Sequence, residues 1–278
     1  MMKFVKKIFP TGLLLGCISV FICSPSFSFG ETITIAGTGD SQYLLRKLAQ
    51  SFLEKHPDSH IMIPNSVGSG GGIKLLLAGR TELARIARPL KPKEQAEGLT
   101  ERTFAYSPVV FIANLPEACV TNITTEQFIA IQKGTITNWN QLGNCPDHKI
   151  YIANREDGDS SKEVLEHHIP EMSQIDNPAG RTVYSTPEAC DTLGQYRYSF
   201  GYLPQAQIQK KSLIQFAFEG VAPSIENVQN GHYKLVVPFG IVWQGQPTGL
   251  TQEFIDYLFS KDAREIMLSL NAVPAKTE

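Results

Sequence analysis

Hydrophobic and polar residues along the chain follow two periods, one typical of strands and one typical of helices. Ile33 and Ile35 alternate with threonines, which predicts a short strand, and Leu44, Leu48 and Phe52 lie at helical spacing after a glycine-containing turn. This order of strand, turn and helix occurs three times. The three units cover residues 32–52, 61–78 and 150–165. The repetition predicts an α/β fold, with the turns at the carboxyl edge of a sheet.

The turns in these units are rich in glycine and serine. In the second unit the turn spans residues 65–72 and a helix follows from Ile73 to Ala78, and in the third unit Ser160 and Glu163 form a predicted capping box. A helix N-terminus carries unpaired N–H groups and partial positive charge, and glycine lets an anion approach the backbone. One such turn is better explained by ordinary capping. Three of them, one with an arginine, favour an oxyanion site.

The second turn does not match the motifs of two enzyme classes. A Walker A motif needs lysine preceded by glycine and followed by serine or threonine, but Lys74 lies between Ile73 and Leu75. A nucleophile elbow needs glycine two residues before the serine, and Val67 has that place relative to Ser69. Neither a metal cluster nor an activated nucleophile is visible in the sequence. We therefore expect a binding protein without catalytic residues, metal or cofactor.

The N-terminus has the pattern of a secretory signal. Three lysines precede an apolar stretch from Ile8 to Cys23 that is shorter than the ~20 residues of a membrane span and is interrupted by Pro10. Lipid attachment at Cys17 is disfavoured, because the apolar run continues past it. We expect residues 1–30 to be removed by cleavage between Ser28 and Glu31, which leaves a periplasmic protein.

Composition and charge exclude disorder and a polyanionic partner. The 278 residues are 42% hydrophobic and 19% charged, which is typical of a folded protein. The formal charge is -2, and loss of three lysines with the signal leaves 22 positive against 27 negative residues. Such a chain has no electrostatic footprint for nucleic acid.

Three cysteines remain after the predicted cleavage, in an oxidising compartment. Cys119 and Cys145 flank one compact segment and form the favoured disulfide, although pairings that involve Cys190 stay open. No Cys-x-x-Cys motif suggests a zinc or redox site.

Five stretches of the chain, in order, resemble the motifs of one known family. They are Val67–Lys74 (VGSGGGIK), Ala87–Leu90 (ARPL), Gly134–Gly143 (GTITNWNQLG), Arg155–Ser161 (REDGDSS) and Phe200–Leu203 (FGYL). The family is that of the phosphate-binding proteins of phosphate ABC importers. The resemblance implies a two-lobed periplasmic binding protein of type II-like α/β fold, each lobe a mixed sheet flanked by helices, with two hinge crossings. It also implies a monomer that closes on phosphate and delivers it to a membrane ABC permease.

The same resemblance implies a set of ligand-binding residues, four in each lobe. They are Ser41, Gln42, Ser69 and Gly70 in the first lobe and Arg155, Asp159, Ser160 and Ser161 in the second. Asp157 aligns with an acid that orients Arg155. The planar guanidinium of Arg155 suits bidentate recognition of an oxyanion.

One position departs from the family pattern. Ala87 stands where the family has an aspartate that accepts a hydrogen bond from protonated phosphate. Either Asp159 replaces this acceptor, or Arg88 adapts the site to a more charged anion. For Arg85 and Arg88, pairing with surface acids such as Glu82 or Glu94 is an equal alternative.

The resemblance also divides the chain. The first lobe would comprise residues 31–106 and 206–278, and the second lobe residues 107–205. The apolar run from Ala105 to Asn114 predicts a buried strand that leaves the first lobe, and residues 252–270 predict one amphipathic helix. The alternative function is an extracytoplasmic sensor or adhesion module that binds a partner protein with the same lobes.

Overall fold

The structure is a computed structural model that describes residues 1–3, 30–209 and 212–276. Most of the predicted secretory signal lies outside the described residues. The strands within the described ranges are β1 Thr32–Gly37, β2 His60–Met62, β3 Leu83–Ile86, β4 Leu99–Ala113, β5 Asn122–Ile123, β6 Tyr151–Arg155, β7 Arg181–Val183, β8 Ser199–Pro204, β9 Ile214–Gln215, β10 Ala217–Phe218, β11 Val236–Gln244 and β12 Val273–Pro274.

Helices alternate with the strands and cover both faces of the sheet. They are α1 Gln42–Leu53, α2 Gly68–Leu77, α3 Pro92–Gln95, α4 Thr125–Gln132, α5 Ser160–His168, α6 Thr186–Gln195, α7 Ile225–Gln229, α8 Gly249–Tyr257 and α9 Lys261–Ser269. Across the described ranges, every helix is too short or too polar to cross a bilayer.

One continuous mixed sheet runs through the molecule in the order β2-β1-β3-β11-β4-β8-β6-β7. Strands β1, β2 and β3 are parallel, as are β6, β7 and β8, whereas β4 and β11 run antiparallel to their neighbours. The first lobe holds the β2 end of the sheet and the second lobe holds the β7 end. The predicted two-lobed α/β fold is confirmed.

Strand β4 belongs to both lobes. Its residues up to Pro108 pair with β11, and its residues from Val109 to Ala113 pair with β8. Those last five residues are fully buried, as expected for a strand with helices on both faces. The first crossing between the lobes therefore lies at Pro108 and Val109, next to the predicted boundary at residue 107.

The return crossing lies later than the sequence predicted. β9 pairs with residues Ile112 and Ala113 of β4, and β10 pairs with β5. Residues 214–218 therefore pack with second-lobe strands, and the chain returns to the first lobe between Phe218 and Val236. These two strands are too short to show a period in the sequence, which is why the sequence placed the boundary at residue 206.

The second lobe is built around an aromatic core. Phe111 of β4 contacts Phe128 of α4 and Phe200 of β8, at ring-centroid distances of 4.8 and 6.0 Å. Trp139 packs edge-on against Phe200 and donates its indole N–H to the carbonyl of Tyr198 at 3.0 Å. Each buried ring contributes about 1.5–3 kcal/mol relative to exposure. This core packs against β8, which pairs with β6, the strand that ends at Arg155.

Helix α2 begins inside the glycine run, five residues before the predicted start at Ile73. The reason is close packing against β1. A Cβ on Gly72 would lie 2.6 Å from the Cα of Gly37 and 2.8 Å from the carbonyl oxygen of Ala36. Only glycine lets the helix approach the strand this closely. The approach brings the N-terminus of α2 next to the end of β1.

Two predictions about helix ends were wrong. Residues 252–270 form two helices, because the hydroxyl of Ser260 accepts the backbone N–H of Ala263 and starts α9. The N-cap of α5 is Asp159, whose carboxylate accepts the backbone N–H of Lys162 at 3.0 Å, and not Ser160. Such a cap contributes about 1 kcal/mol. It also leaves the hydroxyl of Ser160 available in the cleft.

The favoured disulfide is confirmed. Cys119 and Cys145 are bonded and close the segment that contains α4. Cys190 of α6 is buried, with its sulfur 3.4 Å from the carbonyl oxygen of Gln207.

Candidate functional site

Four helix N-termini meet between the two lobes. α1 and α2 come from the first lobe, and α5 and α6 come from the second. The hydroxyl oxygens of Ser69 and Ser160 lie 3.4 Å apart across the cleft. The hydroxyl of Ser161 donates to Asp40 at 3.1 Å, and that of Thr186 donates to the other carboxylate oxygen. The predicted turns therefore converge, and a fourth turn joins them.

The two first-lobe helices that begin at the cleft are not capped by the side chains of their own N-cap residues. Ser41 and Val67 occupy the N-cap positions of α1 and α2, and neither side chain accepts a hydrogen bond from its helix. The hydroxyl of Ser41 is fully buried and bonds to no other described residue. Gln207 and Ser66 accept one N–H group at each of these starts, so the buried hydroxyl of Ser41 and the N–H groups that remain are the donors that an anion would accept from. The lobe supplies this set to the cleft.

Ser69 is positioned by the strand that follows it. Its hydroxyl oxygen accepts the backbone N–H of Ala87 at 3.1 Å, so its own proton points elsewhere. Gly70 follows in the first turn of α2, and a Cβ there would lie 3.9 Å from a terminal nitrogen of Arg88. Gln42 is buried at the start of α1, and its amide oxygen accepts from Arg85 at 3.2 Å. Of the four residues predicted in this lobe, Ser69 contacts the second lobe directly, whereas the side chain of Gln42 is bound inside the first lobe.

Arg155 is the buried cation of the second lobe. It stands at the end of β6 and is 3% exposed. One terminal nitrogen donates to the hydroxyl of Thr186 at 3.1 Å, and the other lies 2.6 Å from a carboxylate oxygen of Asp159. Its Nε bonds to no other described residue. The pair with Asp159 fixes the plane of the guanidinium.

Asp159 and Asp40 put two carboxylates into the cleft beside this one arginine. Burial, followed by the charge of Asp40, raises the pKa of Asp159 to about 7, although Arg155 acts in the opposite direction. The two acids are connected through Thr186 and Arg155, because Thr186 donates to Asp40 and accepts from Arg155. Two buried like charges with one cation between them favour retention of a proton.

The structure does not place Asp157 and Arg88 as the sequence suggested. The side chain of Asp157 is 97% exposed and pairs with Lys162, so the acid that orients Arg155 is Asp159. Both terminal nitrogens of Arg88 donate to the carboxylate of Glu94, at 2.8 and 2.9 Å. The sequence left two roles open for Arg88, contact with the anion and an ion pair, and the structure shows the ion pair with Glu94. Arg85 has no surface partner of this kind, because it is fully buried.

Asp40 and Thr186 are site residues that the sequence reasoning missed. Asp40 is fully buried, and its backbone carbonyl accepts the amide N–H of Gln207 at 2.6 Å. Thr186 opens α6 after the N-cap residue Ser185. The signal for Thr186 was the sequence Ser-Thr-Pro-Glu after a short strand, which is a helix start without the glycine that marked the other turns. Asp40 lies inside the first turn, where the hydrophobic pattern does not distinguish it from the other turn residues.

The residues of the cleft are hydrogen-bond donors and acceptors that suit an anion. Across the described ranges, no three histidine, cysteine or acidic side chains lie close enough together to hold a metal ion. The site combines five hydroxyls, helix N-termini, one arginine and two carboxylates. Such a set can donate hydrogen bonds to a small tetrahedral anion and can also accept a hydrogen bond from a protonated anion.

Comparisons with known proteins agree with this chemistry. A family model described as a PBP superfamily domain matches residues 28–262. The chain is 27% identical over 240 residues to the phosphate-binding protein PstS of Bacillus subtilis, which covers 86% of this chain and 78% of that protein. It is 29% identical over 222 residues to the phosphate-binding protein PstS of Borreliella burgdorferi, with coverages of 76% and 78%.

Two solved structures have the same fold. A substrate-binding protein from Clostridium perfringens with bound phosphate superposes with a TM-score of 0.77 at 26% identity, covering 88% of this chain and 100% of that one. An ABC-type phosphate transport receptor from Vibrio cholerae superposes with a TM-score of 0.63 at 27% identity, with coverages of 87% and 99%.

Proposed function

The chain belongs to the PBP superfamily, and from this premise we propose that it is a solute-binding protein that captures phosphate between its lobes and delivers it to a membrane ABC importer. The observation that carries the proposal is the buried cross-cleft cluster. Ser69 and Ser160 face each other at 3.4 Å, and Arg155 stands beside them in the second lobe. These groups come from opposite lobes, so closure completes the site.

Each lobe has its own part in holding the anion. In the first lobe, the hydroxyls of Ser41 and Ser69 and the N–H groups at the start of α2, including that of Gly70, donate to phosphate oxygens, whereas the N–H of Gln42 already donates to the carbonyl oxygen of Gly39. Hydrogen bonds of this kind contribute about 0.5–1.5 kcal/mol each when neutral, and bonds to charged groups about 1.5–3 kcal/mol. The helix N-termini add about 0.3–1 kcal/mol each through their dipoles.

The second lobe supplies the positive charge. Arg155 donates from a guanidinium that Asp159 and Thr186 hold in one plane, and the hydroxyls of Ser160 and Ser161 complete the set. Because the arginine is 3% exposed, water does not screen its interaction with the anion. The lobe therefore provides both the strongest single donor and its orientation.

Asp40 takes the role of the acceptor that is absent at Ala87. Its carboxylate lies in the first turn, fully buried, and bonds to Ser161 and Thr186 across the cleft. A carboxylate accepts a hydrogen bond from a protonated oxyanion and repels one that has no proton. The acceptor thus moves from the position after β3 to the first turn, and we expect the selectivity for phosphate over sulfate to be retained.

The proposed place of action is the periplasm, where a solute-binding protein meets its permease. The charged n-region and apolar stretch before residue 30 support export. The disulfide between Cys119 and Cys145 suits an oxidising compartment. The proposed activity is binding without chemical conversion of the anion.

Titration calorimetry tests the proposal. The exported chain is titrated with phosphate, arsenate, sulfate, molybdate and pyrophosphate. We expect saturable heat with phosphate and arsenate and weaker or no heat with sulfate. The absence of heat with every oxyanion would refute the proposal.

A further inference from the structure

Arg85 is a fully buried arginine at the centre of the first lobe. It lies on β3, all four residues of which are buried. Its guanidinium donates to backbone carbonyl oxygens of Ile35, Thr38 and Pro64 and to the side-chain amide oxygen of Gln42. Every one of these acceptors is uncharged. The positive charge is therefore solvated by dipoles alone.

No carboxylate in the described part of the chain lies within ion-pairing distance of Arg85. Glu94 pairs with Arg88, Glu82 accepts the backbone N–H of Thr34, and Asp40 bonds to second-lobe hydroxyls. Burial, followed by the charge of the nearby Arg46, lowers the pKa of Arg85 to about 10, as expected for a cation without a counter-ion. Buried charges are normally paired, because desolvation is costly.

The bonds of Arg85 join the two first-lobe turns that face the cleft. Thr38 and Gln42 belong to the turn and helix start after β1, at distances of 2.7 and 3.2 Å. Pro64 precedes the turn that leads into α2, at 2.8 Å. One rigid planar group thus sets both turns relative to each other. Ser41 and Ser69 lie on these two turns.

We propose that Arg85 is a positioning residue of the anion site: it locks the two first-lobe turns together, and its counter-ion is the anion bound in front of them. The proposal rests on the proposed function. Arg85 acts on the ligand through its field and through Gln42, without direct contact.

The two effects of Arg85 have different signatures. A loss of positioning weakens binding of every anion by a similar factor. A loss of charge weakens binding in proportion to ligand charge, since Coulomb energy is proportional to the product of the charges. A dianion then loses the square of the factor that a monoanion loses. Inorganic phosphate provides both forms. It is mainly the monoanion at about pH 5.5 and mainly the dianion at about pH 8.5.

The experiment measures phosphate dissociation constants at these two pH values for the wild type, Arg85→Met and Arg85→Lys. Mutant-to-wild-type ratios at one pH cancel the titration of groups common to both proteins, such as Asp159. For Arg85→Met we expect the loss of charge alone to weaken binding of the dianion at least about tenfold and of the monoanion about threefold, in addition to the loss from positioning. For Arg85→Lys, which keeps the charge and loses the planar fork, we expect the same smaller loss at both pH values.

Arg46→Met is the matched control. Arg46 is exposed and also donates to a carbonyl near the second turn, that of Ile63 at 3.1 Å. We expect its ratios to stay near one. Wild-type phosphate affinity in Arg85→Met would overturn the proposal. So would a loss of affinity in Arg85→Met that is equal at both pH values and is just as large in Arg85→Lys. If Arg85→Met does not fold, Arg85→Lys decides, and a larger loss for the dianion than for the monoanion in that variant overturns it. If the wild type itself does not bind phosphate, the proposed function fails instead.

Discussion

Replacement of Arg155 by alanine is the most direct perturbation of the cleft. The change removes the cation of the second lobe and the donor that holds the hydroxyl of Thr186 at 3.1 Å. It also leaves the carboxylate of Asp159, whose side chain is 7% exposed, without its partner at 2.6 Å. Arg155→Ala therefore affects both anion affinity and stability, for separable reasons.

The expected magnitudes follow from the contacts. Both terminal nitrogens of Arg155 already bond to Thr186 and Asp159, and Nε bonds to no other described residue, so we count one charge-assisted bond to the anion. Such a bond contributes about 1.5–3 kcal/mol, which corresponds to a rise in the dissociation constant of about 10- to 150-fold. Removal of one member of a buried ion pair lowers the free energy of unfolding by about 3–5 kcal/mol.

Calorimetric titration with phosphate gives the affinity, and urea denaturation without phosphate gives the stability. Arg88→Ala is the matched control, because Arg88 is paired with Glu94. We expect its phosphate affinity to remain that of the wild type. The double variant Arg155→Ala with Asp159→Asn removes the orphaned charge, so it should recover stability without recovering affinity.

Two results would refute this reasoning. Wild-type phosphate affinity in Arg155→Ala would remove the arginine from the binding site. Recovery of affinity together with stability in the double variant would show that Arg155 acts only by neutralising Asp159.

Two further predictions concern the carboxylates of the cleft. Asp40→Asn removes the acceptor for a protonated oxyanion, so we expect the ratio of phosphate to sulfate affinity to fall by at least about tenfold, measured by paired titrations; an unchanged ratio would exclude Asp40 as the selectivity residue. Because the pKa of Asp159 is raised to about 7, the folded state keeps a proton that the unfolded chain releases near pH 4. Stability without ligand should therefore fall as the pH rises from about 4 to 7, in thermal unfolding at several pH values. Asp159→Asn should flatten this dependence, and an equally steep decline in that variant would contradict the assignment.

The fold could be predicted from the sequence where a local period reflects burial. β1 and α1 show their alternation directly, and the apolar run in β4 matches a strand covered on both faces. The break between α8 and α9 was missed, because apolar residues continue at helical spacing across Ser260. The cap formed by Ser260 competes with continuation of the helix. Which of the two forms depends on tertiary packing, and the hydrophobic period does not carry that information.

The candidate site could be predicted only in part, for a similar reason. Ser41, Ser69 and Ser160 are found from the sequence because each lies where a helix begins after a strand. Asp40 and Thr186 meet across 146 residues of chain, and only the closed arrangement of the lobes makes them partners. The burial of Arg85 depends on the two strands that pair with β3, namely β1 and β11. These pairings join distant parts of the chain, so the local sequence around Arg85 could not predict its burial.

The long strand β4 has a consequence for how the two halves of the molecule depend on each other. It pairs with β11 up to Pro108 and with β8 beyond that point. A cut at this junction would divide one strand between two fragments, and each fragment would expose unpaired edge groups of a kind that recruit other chains and aggregate. The two lobes are therefore not independent folding units, because they share one strand. Any movement of one lobe against the other passes through the backbone of β4 at Pro108 and Val109, as well as through the return crossing after Phe218.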